Sequence, residues 1–144
     1  MKLLLKRYYP VFINIYTVWM LYMLFFAAMR ELHHREFELR TTPFETISFY
    51  YYHLSKFNNK IEFEKNIIGN IVIFIPYGFL GILYPKLKNG FFLILTFFIV
   101  INIIEFSQYY FKRGTADVDD IILNTSGVII GFIIYKKFFF TADR

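Results

Sequence analysis

The chain has 144 residues, 57% of them apolar and 23% aromatic, with 19% charged, no Cys and a net charge of +5. That length supports one domain, and a soluble domain carries about 25% charged residues. These values exclude a disordered chain, a disulfide-stapled scaffold and a Cys-based metal or redox site; the apolar excess ties the positive charge to a membrane rather than to nucleic acid.

A helix needs about 17–25 mostly apolar residues to cross a bilayer, and four stretches read that way. Val11 to Met29 is free of charge and framed by Lys6, Arg7 and Arg30. Charge on both flanks suits an uncleaved anchor better than a signal peptide cut after Ala28. The connection 30–65 follows. Arg30 to Arg40 alternates basic and acidic residues, as a solvated continuation of the first helix would. Thr41-Thr42-Pro43 breaks it, because the proline ring disfavours helix at the preceding residue. From Phe44 to Phe57 the residues Ile47, Tyr50 or Tyr51, Leu54 and Phe57 recur at helical spacing, suiting a short interfacial helix or a lid over the bundle's end. His33, His34 and His53 read as solvated loop residues.

Ile67 to Tyr84 is the second span, interrupted by Asn70, Pro76, Gly78 and Gly81. Phe91 to Phe111 is the third and carries one charge, Glu105. The fourth starts near residue 120 and runs to about 139, with Lys136 and Lys137 able to snorkel. The fold expected for residues 1–144 is all-α: a single four-helix transmembrane bundle, spans near 11–29, 67–84, 91–111 and 120–139, with one long extracytoplasmic loop between helices 1 and 2. Lys and Arg are evenly divided between the two faces, but the acids gather on the face of that loop. Both termini are therefore taken as cytoplasmic, in a multi-pass protein of the cell membrane.

Polar side chains converge at the other end. Asn66 and Asn70 open span two, Glu105 and Gln108 close span three, Lys112, Arg113 and Asp117 lie in the following loop, and Asp120 and Asn124 open span four. Asp117, Asp120, Asn124, Gly127 and Gly131 step by three and four residues, a stripe with polar groups above and small residues below. Gly127-x3-Gly131 allows another helix to approach closely. A charge at the centre of a span costs about 3 kcal/mol on insertion scales, so Glu105 calls for a partner, and Arg113 is the expected one through paired hydrogen bonds. These residues either staple three helices together or form a polar cup open at the outer surface.

The pattern Asn66-x-x-Gly69-Asn70-x3-Phe74-x-Pro76-x-Gly78, Glu105-x-x-Gln108, Arg113-x3-Asp117-x-x-Asp120-x3-Asn124-x-x-Gly127-x3-Gly131 resembles the VanZ-like family. Thr42-Pro43-Phe44-Glu45-Thr46-Ile47 is similar to that family's element between its first two spans, with Thr41 and Thr42 near where Asn-Leu is usual. The resemblance covers about residues 40–135. It implies a small multi-pass membrane protein of the cell envelope, associated with resistance to teicoplanin and related lipoglycopeptides.

Three roles follow. In the favoured one, which is not enzymatic and needs no cofactor or metal, Asn66, Asn70, Glu105, Gln108, Arg113, Asp117, Asp120 and Asn124 bind a membrane lipid or lipid-linked cell-wall precursor headgroup. In the second, Glu105, Asp117 and Asp120 hold Mg²⁺ for an enzyme acting on a lipid phosphate. In the third, the chain is a structural subunit of a membrane assembly whose protein partner the sequence does not name. Nucleic acid is not an expected partner.

Overall fold

The computed structural model describes residues 2–27, 39–58 and 60–139. Helix α1 (Lys2–Tyr22) runs into a π-helical turn, Met23–Ala27. A two-residue strand, β1 (Leu39–Arg40), precedes α2 (Glu45–Phe57). The second span comprises α3 (Lys60–Phe63), a π-helical turn at Glu64–Ile68, α4 (Gly69–Phe74) and a 3-10 stretch, Ile75–Ile82. A 3-10 turn at Pro85–Lys88 leads to α5 (Gly90–Tyr110), then β2 (Ala116–Asp117) and α6 (Val118–Phe139). Four helical stretches are long and apolar enough to span a membrane: Leu4–Phe26, Lys60–Ile82, Gly90–Tyr110 and Val118–Phe139. The protein is an all-α, multi-pass membrane bundle.

Helices one and two extend beyond their uncharged windows. Helix α1 starts at Lys2 and absorbs Pro10, which costs it a single backbone bond. Span two starts at Lys60 and includes Glu62, Glu64 and Lys65. The sequence offered no strand, yet Leu39 pairs with Ala116 and Arg40 with Asp117 in parallel. Ala28, the rest of the charged run to Glu38, His33 and His34 lie outside the described residues.

The break in span two has a chemical cause. A 3-10 pattern bonds each carbonyl to the amide three residues on, and Pro76 has no N–H to give to the Ile73 carbonyl. The Tyr16 hydroxyl of α1 donates to that oxygen at 2.7 Å, and Tyr9 donates to the Pro76 carbonyl at 2.8 Å. Tyr77 donates to Thr17 Oγ1 at 3.0 Å. Broken helices persist in lipid where neighbours satisfy the freed backbone in this way. Around these bonds pack Ile13, Met20, Phe74, Leu93, Phe97, Ile101 and Val128, all buried.

Span two lies directly on α6. A Cβ added at Gly127 would collide with the Ile71 carbonyl oxygen, and one at Gly131 with that of Ile75. At Gly69 it would meet nothing nearer than the Glu64 carbonyl, at an ordinary 3.5 Å. Overpacking a tight contact costs about 1–3 kcal/mol. Gly127→Ala and Gly131→Ala should therefore lower the thermal midpoint of the purified protein by several degrees while Gly69→Ala leaves it unchanged. Equal midpoints for all three would refute the close approach.

Candidate functional site

Three carboxylates at the start of α6 organise the end of the bundle where spans two and four begin. Asp119 is fully buried. Its Oδ1 accepts from the Phe44 amide at 2.6 Å and its Oδ2 from the Ile47 amide at 3.0 Å. Those amides belong to the N-cap and third position of α2, so Asp119 caps a helix from 75 and 72 residues away in sequence, the task a local Ser or Asp usually performs. Phe44 itself offers no side-chain cap and holds a left-handed φ of 65°.

Asp117 is equally committed. Its Oδ1 accepts from the Asp119 amide at 2.8 Å and so caps α6. Its Oδ2 accepts from Thr46 Oγ1 at 2.6 Å, with Arg40 Nη1 at 4.0 Å. The stretch Leu39–Phe57 is thus fastened over this end by strand pairing, by a cap and by an ion pair. On α2, Ile47, Tyr50 and Leu54 are half-buried, while Phe49, Tyr51, Tyr52 and Phe57 are exposed.

Asp120, Asn70, Glu105 and Asn124 lie beneath. Asn70 Nδ2 donates to Asp120 Oδ1 at 2.7 Å and to the Asn66 carbonyl at 3.0 Å. Glu105 is buried; its hydrogen-bond donor is the Asp117 backbone amide, and Asp117 and Asp120 are its charged neighbours. Asn124 is 2% exposed, and its Oδ1 has no hydrogen-bond partner. It stands one turn beyond Asp120 and one turn before Gly127, which bracket it against Asn70 and Ile71 of span two.

The other expected members point elsewhere. Gln108 is buried, but its Nε2 donates to the Leu24 carbonyl at 2.9 Å and ties span three to the end of span one. Asn66 Nδ2 donates to the Glu62 carbonyl within its own helix. The Arg113 guanidinium lies over the Phe26 ring, 5.6 Å from its centroid. The donor found at Glu105 is the Asp117 backbone amide, where the sequence pointed to the Arg113 guanidinium, and Lys112 adopts a left-handed φ of 54° where the chain turns out of α5. Thr46 and Arg40 complete the site and were absent from the sequence reading of it, and Asp119, one of the loop acids, joins them as the cap of α2. The Asp-x-Asp-Asp run and its distant Pro43-Phe44 element held the only signal.

The cluster is strong in acceptors and weak in donors. Asp117 and Asp119 use both carboxylate oxygens inside the fold, whereas among the described residues Asp120 and Glu105 each receive one donor and Asn124 Oδ1 receives none. No group of three His, Asp or Glu side chains among the described residues is placed to hold a metal ion.

Removing the remote cap should leave the Phe44 and Ile47 amides without their carboxylate acceptor. Asp119→Ala is expected to cost about 0.5–2 kcal/mol, the usual range for a lost cap. Hydrogen exchange should show the amides of Phe44, Ile47 and the rest of α2 losing protection, with α5 and α6 unchanged. Uniform loss across the bundle would mean that Asp119 serves the core and not the cap.

The profile of the family described as VanZ/LLP1 matches residues 12–140. A curated relative, Protein VanZ of Enterococcus faecium, is 36% identical over 73 residues, which cover 49% of this chain and 44% of that protein. The chain thus aligns with less than half the length of that relative. No solved structure matches it.

Proposed function

The chain belongs to the VanZ/LLP1 family, and on that premise we propose that it lowers sensitivity to teicoplanin-type lipoglycopeptides by binding the headgroup of an outer-leaflet lipid or lipid-linked cell-wall precursor. The observation that carries this reading is the surplus of acceptors at Glu105, Asp120 and Asn124. Buried polar groups are nearly always paired, and a buried carboxylate needs compensation that a single amide only partly supplies. The group that completes the cluster must donate hydrogen bonds, and an ammonium on a headgroup does so while neutralising charge. Recognition then falls on the amine end of the headgroup. Asn66, Asn70 and Asp120 are half-buried, and they form the side from which it enters.

An enzyme acting on a lipid phosphate through Mg²⁺ on Glu105, Asp117 and Asp120 draws less support. Both Asp117 oxygens already accept hydrogen bonds within the fold, and phosphate would meet four carboxylates with Arg40 as the cation beside Asp117 and Asp120. A scaffold role explains Asp117 and Asp119 but leaves the unpartnered Asn124 oxygen without a reason.

Expression in a teicoplanin-sensitive cell tests the proposal. The unsubstituted chain should raise the inhibitory concentration, and Glu105→Gln, Asp120→Asn and Asn124→Ala should each return it toward the sensitive value, at least fourfold down, with membrane levels unchanged. Resistance that survives all three substitutions would overturn the binding role of the cluster. Lipid analysis of gently purified protein gives an independent reading: amine-bearing lipids should be enriched with the unsubstituted chain and lost from Glu105→Gln.

A further inference from the structure

At the opposite end of the bundle, α1 and the 3-10 stretch of span two separate to form a groove of about 490 Å³, within the range of roughly 300–1,000 Å³ usual for ligand sites. Leu4, Tyr8, Tyr9 and Phe12 form one wall, Pro76 and Phe79 the other. The wall is almost wholly apolar, and the Tyr9 hydroxyl within it is spent on the Pro76 carbonyl. Leu4, Tyr8 and Phe12 are half or more exposed, so the groove opens sideways into the hydrocarbon from within two membrane-spanning stretches.

The segments that flank it carry positive charge. Lys6 and Arg7 are exposed on the turn of α1 that lines it, and Lys86 and Lys88 are exposed on the turn that follows span two. The Arg7 guanidinium lies over the ring of Tyr8, 5.7 Å from its centroid, which sets a cation at the groove's edge. No acidic residue occurs before residue 28 or between Glu64 and Glu105, so nothing in these segments offsets that charge.

We propose that this groove seats an acyl chain of an anionic phospholipid from the leaflet on the side of the termini, with its phosphate held by Lys6, Arg7, Lys86 and Lys88. Apolar walls take the chain and basic side chains at the headgroup level take the phosphate, as basic pockets between membrane helices do. The long stems of Lys and Arg reach the headgroup level from within the first turns. The lipid would occupy the groove between the first two spans, beside Pro76. This site is separate from the acceptor cluster, and neither inference depends on the other.

Native mass spectrometry of the full chain, released from micelles containing equal phosphatidylglycerol and phosphatidylcholine of matched chains, tests the site. Phosphatidylglycerol adducts should exceed phosphatidylcholine adducts at least fivefold. Leu4→Trp, which fills the groove from its exposed rim, should remove the adduct of either lipid. The Lys6→Gln and Arg7→Gln double variant should keep adducts but bring the ratio toward one. Equal retention of both lipids by the unsubstituted chain would overturn the proposal. So would adducts untouched by Leu4→Trp, or a dimer that takes the groove as its interface and retains no lipid there.

Discussion

The arrangement of the polar end depends on a single carboxylate. Asp119 is taken fully out of water, a transfer that costs several kcal/mol unless hydrogen bonds replace the lost hydration. Two backbone amides at the start of α2 do so, and the positive end of that helix's dipole adds to them. The same contact holds Phe44 in a left-handed conformation, which costs a non-glycine residue about 1–3 kcal/mol and persists only where the surroundings impose it. Without that contact, α2 would be a short helix of 13 residues with no cap of its own, marginal in isolation. Its position over the bundle therefore follows from Asp119, and the placement of Thr46 and Arg40 against Asp117 follows from α2 and β1.

A second constraint acts in the middle of the bundle. Pro76 deprives span two of a donor just where Gly127 and Gly131 bring α6 against its backbone. The two effects fit together. A 3-10 stretch is narrower than an α-helix, which lets α6 come close, and from the other side Tyr16 satisfies the freed Ile73 carbonyl while Tyr9 donates to that of Pro76. Helices in lipid gain little from burying apolar surface against one another, so close backbone packing and inter-helix hydrogen bonds carry the association. Spans one, two and four are joined by both means.

The helices were legible in the sequence because a spanning helix has a length and a composition that few other elements share. The small-residue stripe on α6 was legible because 3.6-residue periodicity puts positions 127 and 131 on one face. That same face carries Asp120, and its neighbour across the gap is Asn70. Other features gave no such signal. Two-residue strands such as Leu39–Arg40 and Ala116–Asp117 are too short to show an alternating pattern. The donor to Glu105 is a backbone amide, and every residue has one, so side-chain identity pointed to Arg113 instead. Asp119 lies one position off the stripe of Asp117, Asp120 and Asn124, and its role depends on a helix whose start is set by a distant Pro-Phe pair.

Stapling and binding can be told apart by counting acceptors. A buried charge network is often no more stabilising than well-packed apolar residues of the same size, so holding the helices together does not by itself require four carboxylates. Asp117 and Asp119 have every oxygen bonded within the fold, and their structural duty accounts for them. Glu105, Asp120 and Asn124 are not accounted for in this way: Asp120 accepts from Asn70 and has Arg40 as a charged neighbour, Glu105 takes a backbone amide, and Asn124 Oδ1 accepts no hydrogen bond. A bundle needing only to be stapled would be served equally well by Leu or Met at 105 and 124, where close packing would cost nothing in desolvation. The contrast separates the two halves of the cluster: Asp117 and Asp119 spend their oxygens on the fold, and the proposed headgroup recognition rests on the other three, Glu105, Asp120 and Asn124.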